Sequence, residues 1–244
     1  MSACLTVALK EIRDHLRDTR SLRAGAAYAL MGPVVIVAVS FSEAARAGGA
    51  QLLLSMMSVF ALVSAFSGGM YLALDATAGE RERGSFVPLL LNPVSRLHLV
   101  AGKWIAVSVF SLAGLILSLV GFTLVFEWSG SVTSGHLTSV FLLWIVCGLV
   151  PLALLDAALD LAAAAMCHNV KEAQSRLSIV MSLPMSVGML LVFFPESVGR
   201  WWYAVPIVGQ QALIGTGLRG DRSPWYRPRV SASSRWPRRP SRSG

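Results

Sequence analysis

Charged side chains are scarce in this 244-residue chain: they make up 14% of it, whereas soluble domains carry about 25%. Hydrophobic residues account for 55%. Two long runs, Ala50–Leu74 and Trp104–Phe126, contain no lysine, arginine, aspartate or glutamate. Each run exceeds the roughly 20 residues that a helix needs to cross a bilayer. The scarcity of charge therefore excludes a soluble domain and indicates an integral membrane protein.

The chain is also poor in residues that build metal sites. Its three cysteines show no C-x-x-C spacing, and its four histidines fall in different segments, so we expect no metal site. A P-loop motif is absent, since Gly102-Lys103 lacks the upstream glycine and is followed by Trp104,. The net charge of +8 gives no evidence of nucleic-acid binding, because eight of the 21 lysines and arginines lie from Arg219 onward. We therefore expect no cofactor bound by this chain, no nucleic-acid partner and no catalytic residues.

The apolar segments predict an all-α, polytopic membrane helix bundle. Small residues such as Gly69 and Gly114 predict close helix–helix contacts, within the subunit or across a dimer,. Residues 1–23, 75–103 and 167–176 together hold eleven lysines and arginines, whereas the first two loops on the other side of the membrane hold one. This asymmetry places the N-terminus and residues 75–103 in the cytosol. The expected spans are about 24–42, 50–74, 104–126, 137–166 and 177–195.

Residues 1–23 predict an amphipathic helix at the membrane–water interface. The apolar residues Leu5, Leu9, Ile12 and Leu16 recur at helical spacing,. The basic residues lie off that stripe, where they face anionic headgroups. A short cytosolic helix without membrane contact is the alternative.

A charged island between the second and third spans carries a recognisable order of motifs. It reads Glu80-Arg81-Glu82-Arg83-Gly84-Ser85, Leu89-Leu90, Pro93-Val94-Ser95-Arg96 and Gly102-Lys103. This order closely resembles the cytoplasmic loop of type-2 ABC exporter permeases, which typically show E-[KR]-E-R-G-T, L-L, P-[VI]-[ST]-R and G-K. The departures are Ser85, Pro88 and Asn92. A second cytosolic loop, with Val170-Lys171-Glu172-Ala173-Gln174, is similar to the NatB-like, sodium-exporter-like branch of these permeases.

The resemblance implies a multi-pass plasma-membrane permease subunit of an ATP-driven exporter. Its partners would be a cytosolic ABC ATPase, which binds the ATP, a second permease subunit in a homodimer or heterodimer, and the lipid bilayer. It implies export of sodium or a drug-like compound. The permease domain would be residues 24–216. The expected ATPase-coupling residues are Glu80, Arg81, Glu82, Arg83, Gly84, Leu89, Leu90, Pro93, Arg96, Lys171 and Glu172.

The end of the chain departs from the six-span pattern of that family. After Pro206-Ile207-Val208-Gly209-Gln210, residues 217–244 turn into arginine, proline and serine without an apolar run. About five of six spans are thus expected, with a C-terminus that is truncated or frameshifted and a tail that is unstructured. A non-transporting membrane scaffold or a decayed permease is therefore the alternative function.

Asp156 and Asp160 are acids inside a predicted span, one helical turn apart,. Acids inside a membrane are costly, and a functional role is the default hypothesis. They predict a cation path. Two alternatives stay open: both side chains lie near the cytosolic end, where water or Lys171 and Arg176 compensate them, or they serve an intramembrane enzyme.

Overall fold

The computed structural model describes residues 3–84, 95–129, 139–193 and 204–218. The described residues contain helices and no strand. Five helical segments are long and apolar enough to cross a membrane, which confirms the predicted all-α polytopic bundle. These segments are Thr19–Ser40, Leu52–Glu82, Arg96–Ser129, Leu142–Ala165 and Val170–Phe193.

The N-terminal segment forms its own helix, α1 (Ala3–Arg17), and Asp18 separates it from the first span, α2 (Thr19–Ser40). Asp18 is the N-cap of α2, because its side chain accepts hydrogen bonds from the backbone N–H of Arg20 and the hydroxyl of Ser21,. Helix α2 continues through Pro33.

The second span is interrupted after α3 (Glu43–Ser67) and continues as α4 (Met70–Leu74). At the break, Gly68 and Gly69 lie against the third span. A Cβ atom on Gly68 would be 2.6 Å from the carbonyl oxygen of Phe110, and one on Gly69 would be 2.6 Å from a methyl of Val107. Gly114 approaches from the other side, since its Cβ would lie 3.0 Å from the Cα of Gly68. The predicted close contact of small residues is thus confirmed.

Beyond α4 the same span contains a π-helical turn, Asp75–Gly79, and a short final turn, α5 (Glu80–Glu82). The backbone N–H of Glu80 bonds to the carbonyl of Asp75, five residues earlier. Such widened turns occur as single insertions in α-helices, often at functional sites. The extra residue of the π-helical turn rotates the residues after it about the helix axis. The charged island therefore begins on this last part of the second span.

Three long helices complete the bundle: α6 (Arg96–Ser129), α7 (Ser139–Ala165) and α8 (Val170–Phe193). A shorter helix, α9 (Val208–Leu218), packs against α3, α7 and α8. The core has two parts. The first surrounds Phe66 and Phe122, and the second joins the 70–78 segment to α7 and to the start of α8.

Several residues singled out in the sequence lie outside the described residues. They are Ser85, Pro88, Leu89, Leu90, Asn92 and Pro93 in the island, together with the tail from Arg219 onward.

Candidate functional site

A buried charged cluster, consisting of Glu11, Glu80 and Lys103, joins three helices at one end of the bundle. The ammonium group of Lys103 binds the carboxylate of Glu80 and the carbonyl oxygen of Ala76, and it lies 3.9 Å from the carboxylate of Glu11. The exposed fractions of Glu11, Glu80 and Lys103 are 6%, 8% and 5%. Charges buried this far require partners. The cluster therefore fixes α1, the π-helical turn and α6 relative to one another.

Helix α1 lies flat on α6 because Gly102 leaves room for it. A Cβ atom at Gly102 would lie 2.8 Å from the carbonyl oxygen of Cys4 and equally close to Val7. The buried face of α1 carries Ala8, Glu11 and His15. The predicted apolar stripe lies next to this face: Ile12 packs against the second part of the core, whereas Leu5, Leu9 and Leu16 are about half exposed. Helix α1 thus buries one face on the bundle and leaves the leucines beside that face partly exposed.

Burial affects both titratable side chains on the docked face of α1. It raises the pKa of the Glu11 carboxyl, and the positive charges of Lys103 and Lys10 oppose that rise,. It lowers the pKa of His15, against the opposing charges of Asp18 and Asp75. The His15 ring packs edge-on against Phe110, with 4.6 Å between ring centroids. Burial on the docked face of α1 therefore opposes the charged form of both side chains, and in Glu11 the two lysines counteract it.

The E-R-E-R segment (Glu80–Arg83) reaches from the second span to the connection between α7 and α8. Arg81 donates a hydrogen bond to the carbonyl oxygen of Cys167, at 2.8 Å. The carboxylate of Glu82 accepts one from the backbone N–H of Val170, at 3.0 Å. Arg83 pairs with Asp75 at 2.8 Å, back across the π-helical turn. Two predicted sites that are distant in sequence therefore meet in the fold.

The start of α8 presents backbone N–H groups that can bind the carboxylate of Glu82. Val170 is the first residue of α8, where backbone N–H groups have no partner within the helix,. Asn169 caps the helix by accepting from the N–H of Glu172 at 2.8 Å, and Glu172 accepts from the N–H of His168 at 3.1 Å. Glu172 also pairs with Arg176, and Lys171 is exposed. Glu82 thus adds an acid from another helix to a helix N-terminus, where negative charge is favourable.

Gly84 and Arg96 lie on either side of the part of the island, residues 85–94, that is outside the described residues. Gly84 has a φ of +69°, which favours glycine, and a Cβ atom there would meet nothing within 4 Å,. Arg96 is exposed at the start of α6, and no hydrogen bond or ion pair joins it to the E-R-E-R segment within the described ranges. The predicted coupling residues therefore fall into a connected group, Glu80–Arg83 with the start of α8, and separate positions around it.

Asp156 and Asp160 lie on the inner face of α7, with exposed fractions of 0% and 1%. None of their four carboxylate oxygens has a hydrogen-bond partner among the described residues. Arg176, a predicted compensating residue, pairs with Glu172 instead. The two acids lie where the two parts of the core meet, since Ala153 belongs to the first part and Ala157 to the second.

The family described as ABC-2 family transporter protein matches residues 5–199. The chain belongs to the ABC-2 transporter family. It is also similar to the ABC transporter permease protein NatB of Bacillus subtilis (strain 168), with 35% identity over 184 residues, which cover 71% of this chain and 46% of the relative. The chain thus spans about half the length of the curated relative that it matches.

Within this ABC-2 protein, sequence reasoning missed two members of the charged cluster as site residues. Glu11 was not predicted, because the helical spacing of Leu5, Leu9, Ile12 and Leu16 indicates an apolar face that does not include it. Lys103 was predicted as part of the Gly102-Lys103 motif, without a role as a site residue. Its position at the start of an apolar span is a usable signal, since a buried charge there takes a charged or carbonyl partner.

Proposed function

We propose that this chain is the membrane-spanning subunit of an ATP-driven exporter and that a separate cytosolic ATPase drives it. The observation that carries the proposal is the junction made by the E-R-E-R segment. Glu80 binds Lys103 on α6, while Arg81 and Glu82 bind the connection that begins α8. A movement of this one segment would therefore be passed to several membrane-crossing helices at once.

The proposed mechanism is mechanical. ATP binding closes the partner ATPase against the island after Gly84, with Leu89, Leu90, Pro93 and Arg96 as docking residues. The displaced segment pulls on α6 through Glu80 and on the start of α8 through Arg81 and Glu82. Packed helices move as rigid bodies, so the displacement reaches the far ends of these spans. Lys171 and Glu172 form the second ATPase contact, next to the first.

The family membership supports the rest of the assembly that we propose. A second permease subunit, identical or related, forms the other half of the pathway, and ATP is bound by the partner ATPase rather than by this chain. The exported substrate is sodium or a drug-like compound. The three segments rich in lysine and arginine contact one another at one end of the bundle, which supports a cytosolic location for that end.

A cation path through Asp156 and Asp160 is a second proposal within the same function. Four buried carboxylate oxygens without a described partner favour it. In a low-dielectric interior, two neighbouring carboxylates retain their charge when cations compensate them and otherwise take up protons. An exported cation would supply that compensation as it passes.

The experiment is to purify the tagged chain from its native host in mild detergent and identify the proteins that remain bound by mass spectrometry. The complex is then reconstituted, and ATP-dependent movement of radioactive sodium and of ethidium is measured across inside-out vesicles. We expect a P-loop ATPase in stoichiometric amount and transport of at least one probe. Glu82→Arg is expected to reduce transport per ATP hydrolysed, whereas the control Arg13→Glu, which reverses an exposed charge on α1, is not.

Each outcome separates the alternatives. A bound ATPase with no ATP-dependent movement of either probe would favour the non-transporting scaffold. A folded, abundant chain without any ATPase would contradict the proposed function. Transport that is unaffected by Glu82→Arg would leave the permease assignment in place and contradict the coupling role of the segment.

A further inference from the structure

An elongated groove of about 540 Å³ runs beside the charged cluster, between the first turns of α6 and the last turns of α7. Leu99, Val100 and Trp104 line it on α6, and Leu161 lines it on α7. Its floor is the π-helical turn at Ala76 and Thr77. Arg81 also lines it, so the groove adjoins the hydrogen bond that joins the E-R-E-R segment to Cys167.

The shape of the groove follows from how α6 and α7 meet. The indole N–H of Trp104 donates to the carbonyl oxygen of Leu154 at 2.9 Å, which holds the two helices together at the membrane end of the groove. Toward the charged end, alanines at 158, 162 and 165 leave space between the helices. The distance along α6 from Arg96 to Trp104 is about 12 Å, at about 1.5 Å per residue. That length accommodates much of an acyl chain.

Among the described residues, the charged side chains that line the groove are all positive. They are Arg81, Arg96 and Lys103. Lys103 is compensated by Glu80 and Glu11. Arg96, at the water end, is exposed and takes part in no hydrogen bond or ion pair within the part of the chain that the structure describes. A positive charge therefore stands at the mouth of an otherwise apolar groove.

A ligand that fits must be both apolar and anionic. A small soluble anion would leave the apolar walls unfilled, and a neutral apolar molecule would leave Arg96 without a counter-charge. Basic pockets between membrane helices bind anionic lipid headgroups in this way. A guanidinium is also well suited to phosphate, because it can donate two parallel hydrogen bonds.

We propose that this groove binds one anionic phospholipid from the adjoining membrane leaflet. Its acyl chain lies along Leu99, Val100 and Leu161 as far as Trp104, and its phosphate lies at Arg96 with Arg81 adding positive charge. In this arrangement Arg96 binds the lipid phosphate rather than the ATPase, whose docking would then rest on the other proposed residues. Binding of this lipid needs no transport activity, so its failure would leave the proposed function untouched. The lipid would brace α6 against α7 next to the contact of Arg81 with Cys167.

The test uses the full chain reconstituted with equal amounts of phosphatidylglycerol and phosphatidylcholine. Native mass spectrometry then measures which lipid is retained, and a phosphatidylglycerol with a photoreactive acyl chain maps the contact. We expect one phosphatidylglycerol per chain, with crosslinks on residues 99–104 and 154–165. Arg96→Gln is expected to reduce retention about tenfold, through loss of the charge-assisted bonds. Ala162→Trp, which fills the apolar part, is expected to reduce it to a similar extent.

The control is Arg13→Gln, which removes an exposed arginine from α1 at the same end of the bundle and should leave retention unchanged. Size-exclusion chromatography confirms that each variant is folded. Equal retention of the two lipids would overturn the proposal, as would crosslinks confined to other helices. Unchanged retention in folded Arg96→Gln would overturn it as well.

Discussion

Glu82 accepts a hydrogen bond from the backbone N–H of Val170, 3.0 Å away, although 88 positions separate the two residues in the chain. The contact joins the end of the second span to the beginning of the fifth. Glu82 is exposed, so the bond lies where water competes with it. Its importance is therefore geometric more than energetic: it fixes where the E-R-E-R segment sits relative to α8.

Replacing Glu82 tests this geometric role. Glu82→Arg places a third positive charge beside Arg81 and Arg83 and opposes the positive end of α8, whereas Glu82→Gln keeps an oxygen that accepts the bond. We expect Glu82→Arg to lower the free energy of unfolding by no more than ~1 kcal/mol, because the site is exposed. Transport per ATP hydrolysed is expected to fall several-fold in Glu82→Arg and little in Glu82→Gln. Equal losses in the two variants would contradict a role for the hydrogen bond.

Replacing Lys103 is expected to have a larger effect on the free energy of unfolding, because its ammonium group compensates two buried acids. Lys103→Met would leave Glu80 and Glu11 without their shared partner, at a cost of about 3–5 kcal/mol. We expect a much lower midpoint of thermal unfolding and a poor yield of folded protein. The double variant Lys103→Met/Glu80→Gln is expected to recover part of this loss, since it removes one stranded charge. Lys171→Met, at an exposed lysine, is the matched control and should unfold like the unmodified protein.

Lys103 and Glu82 also show which parts of the fold and of the candidate site can be predicted from the sequence. The charge-free runs at 50–74 and 104–126 predict spans because a bilayer requires length and apolarity, which a single segment reveals. The motif order of the island points to the family. The partners of Lys103 were not predictable in the same way, because Glu11 lies on a helix whose clearest pattern is an apolar stripe that does not include it. Long-range pairs such as Glu82 and Val170 depend on how spans are arranged, which local sequence does not encode.

Variants at Gly84 distinguish an effect of the backbone conformation from an effect of the added side chain. Its φ of +69° strains a β-branched residue, whereas asparagine tolerates this region,. Space is not the reason for glycine, since nothing lies within 4 Å of an added Cβ. We expect Gly84→Val to reduce coupling of hydrolysis to transport, and Gly84→Asn to retain most of it. If both variants lose coupling equally, the backbone conformation at Gly84 is not what matters.

The docking of α1 is expected to weaken on acidification through His15. Burial holds the pKa of His15 below its ordinary value, so the folded state binds fewer protons than the undocked state. The stabilisation of the docked helix by neutral His15 is complete above about pH 6.5, the ordinary pKa of histidine. It decreases as the pH falls from there toward the lowered pKa of His15. Asp18 and Asp75 moderate the effect, because their charges favour the protonated ring. The raised pKa of Glu11 acts in the opposite direction, since docking then retains a proton that the undocked helix loses.

The measurement is the rate at which a thiol reagent labels Cys4, on the docked helix, in a Cys147→Ser background that removes the exposed cysteine. Comparing His15 with His15→Gln isolates the contribution of His15 from that of Glu11. Because the thiolate is the reactive form, each rate is divided by that of the denatured chain at the same pH. We expect this normalised rate to rise from pH 7.5 to 5.5 more in the unmodified helix than in His15→Gln. Identical pH profiles would show that His15 does not control docking.

Asp156 and Asp160 allow the cation path to be separated from a structural role. The buried carboxylates have no described partner, so neutral asparagines of the same size relieve a desolvation cost,. We expect Asp156→Asn/Asp160→Asn to unfold at or above the temperature of the unmodified protein while ATP-driven transport of a cation falls at least tenfold. Ser118→Ala is the matched control, because it removes another buried polar group without a described partner and carries no charge. Transport at the unmodified rate in the folded double variant would exclude the cation path, whereas loss of folding would assign the two acids to the structure of the bundle.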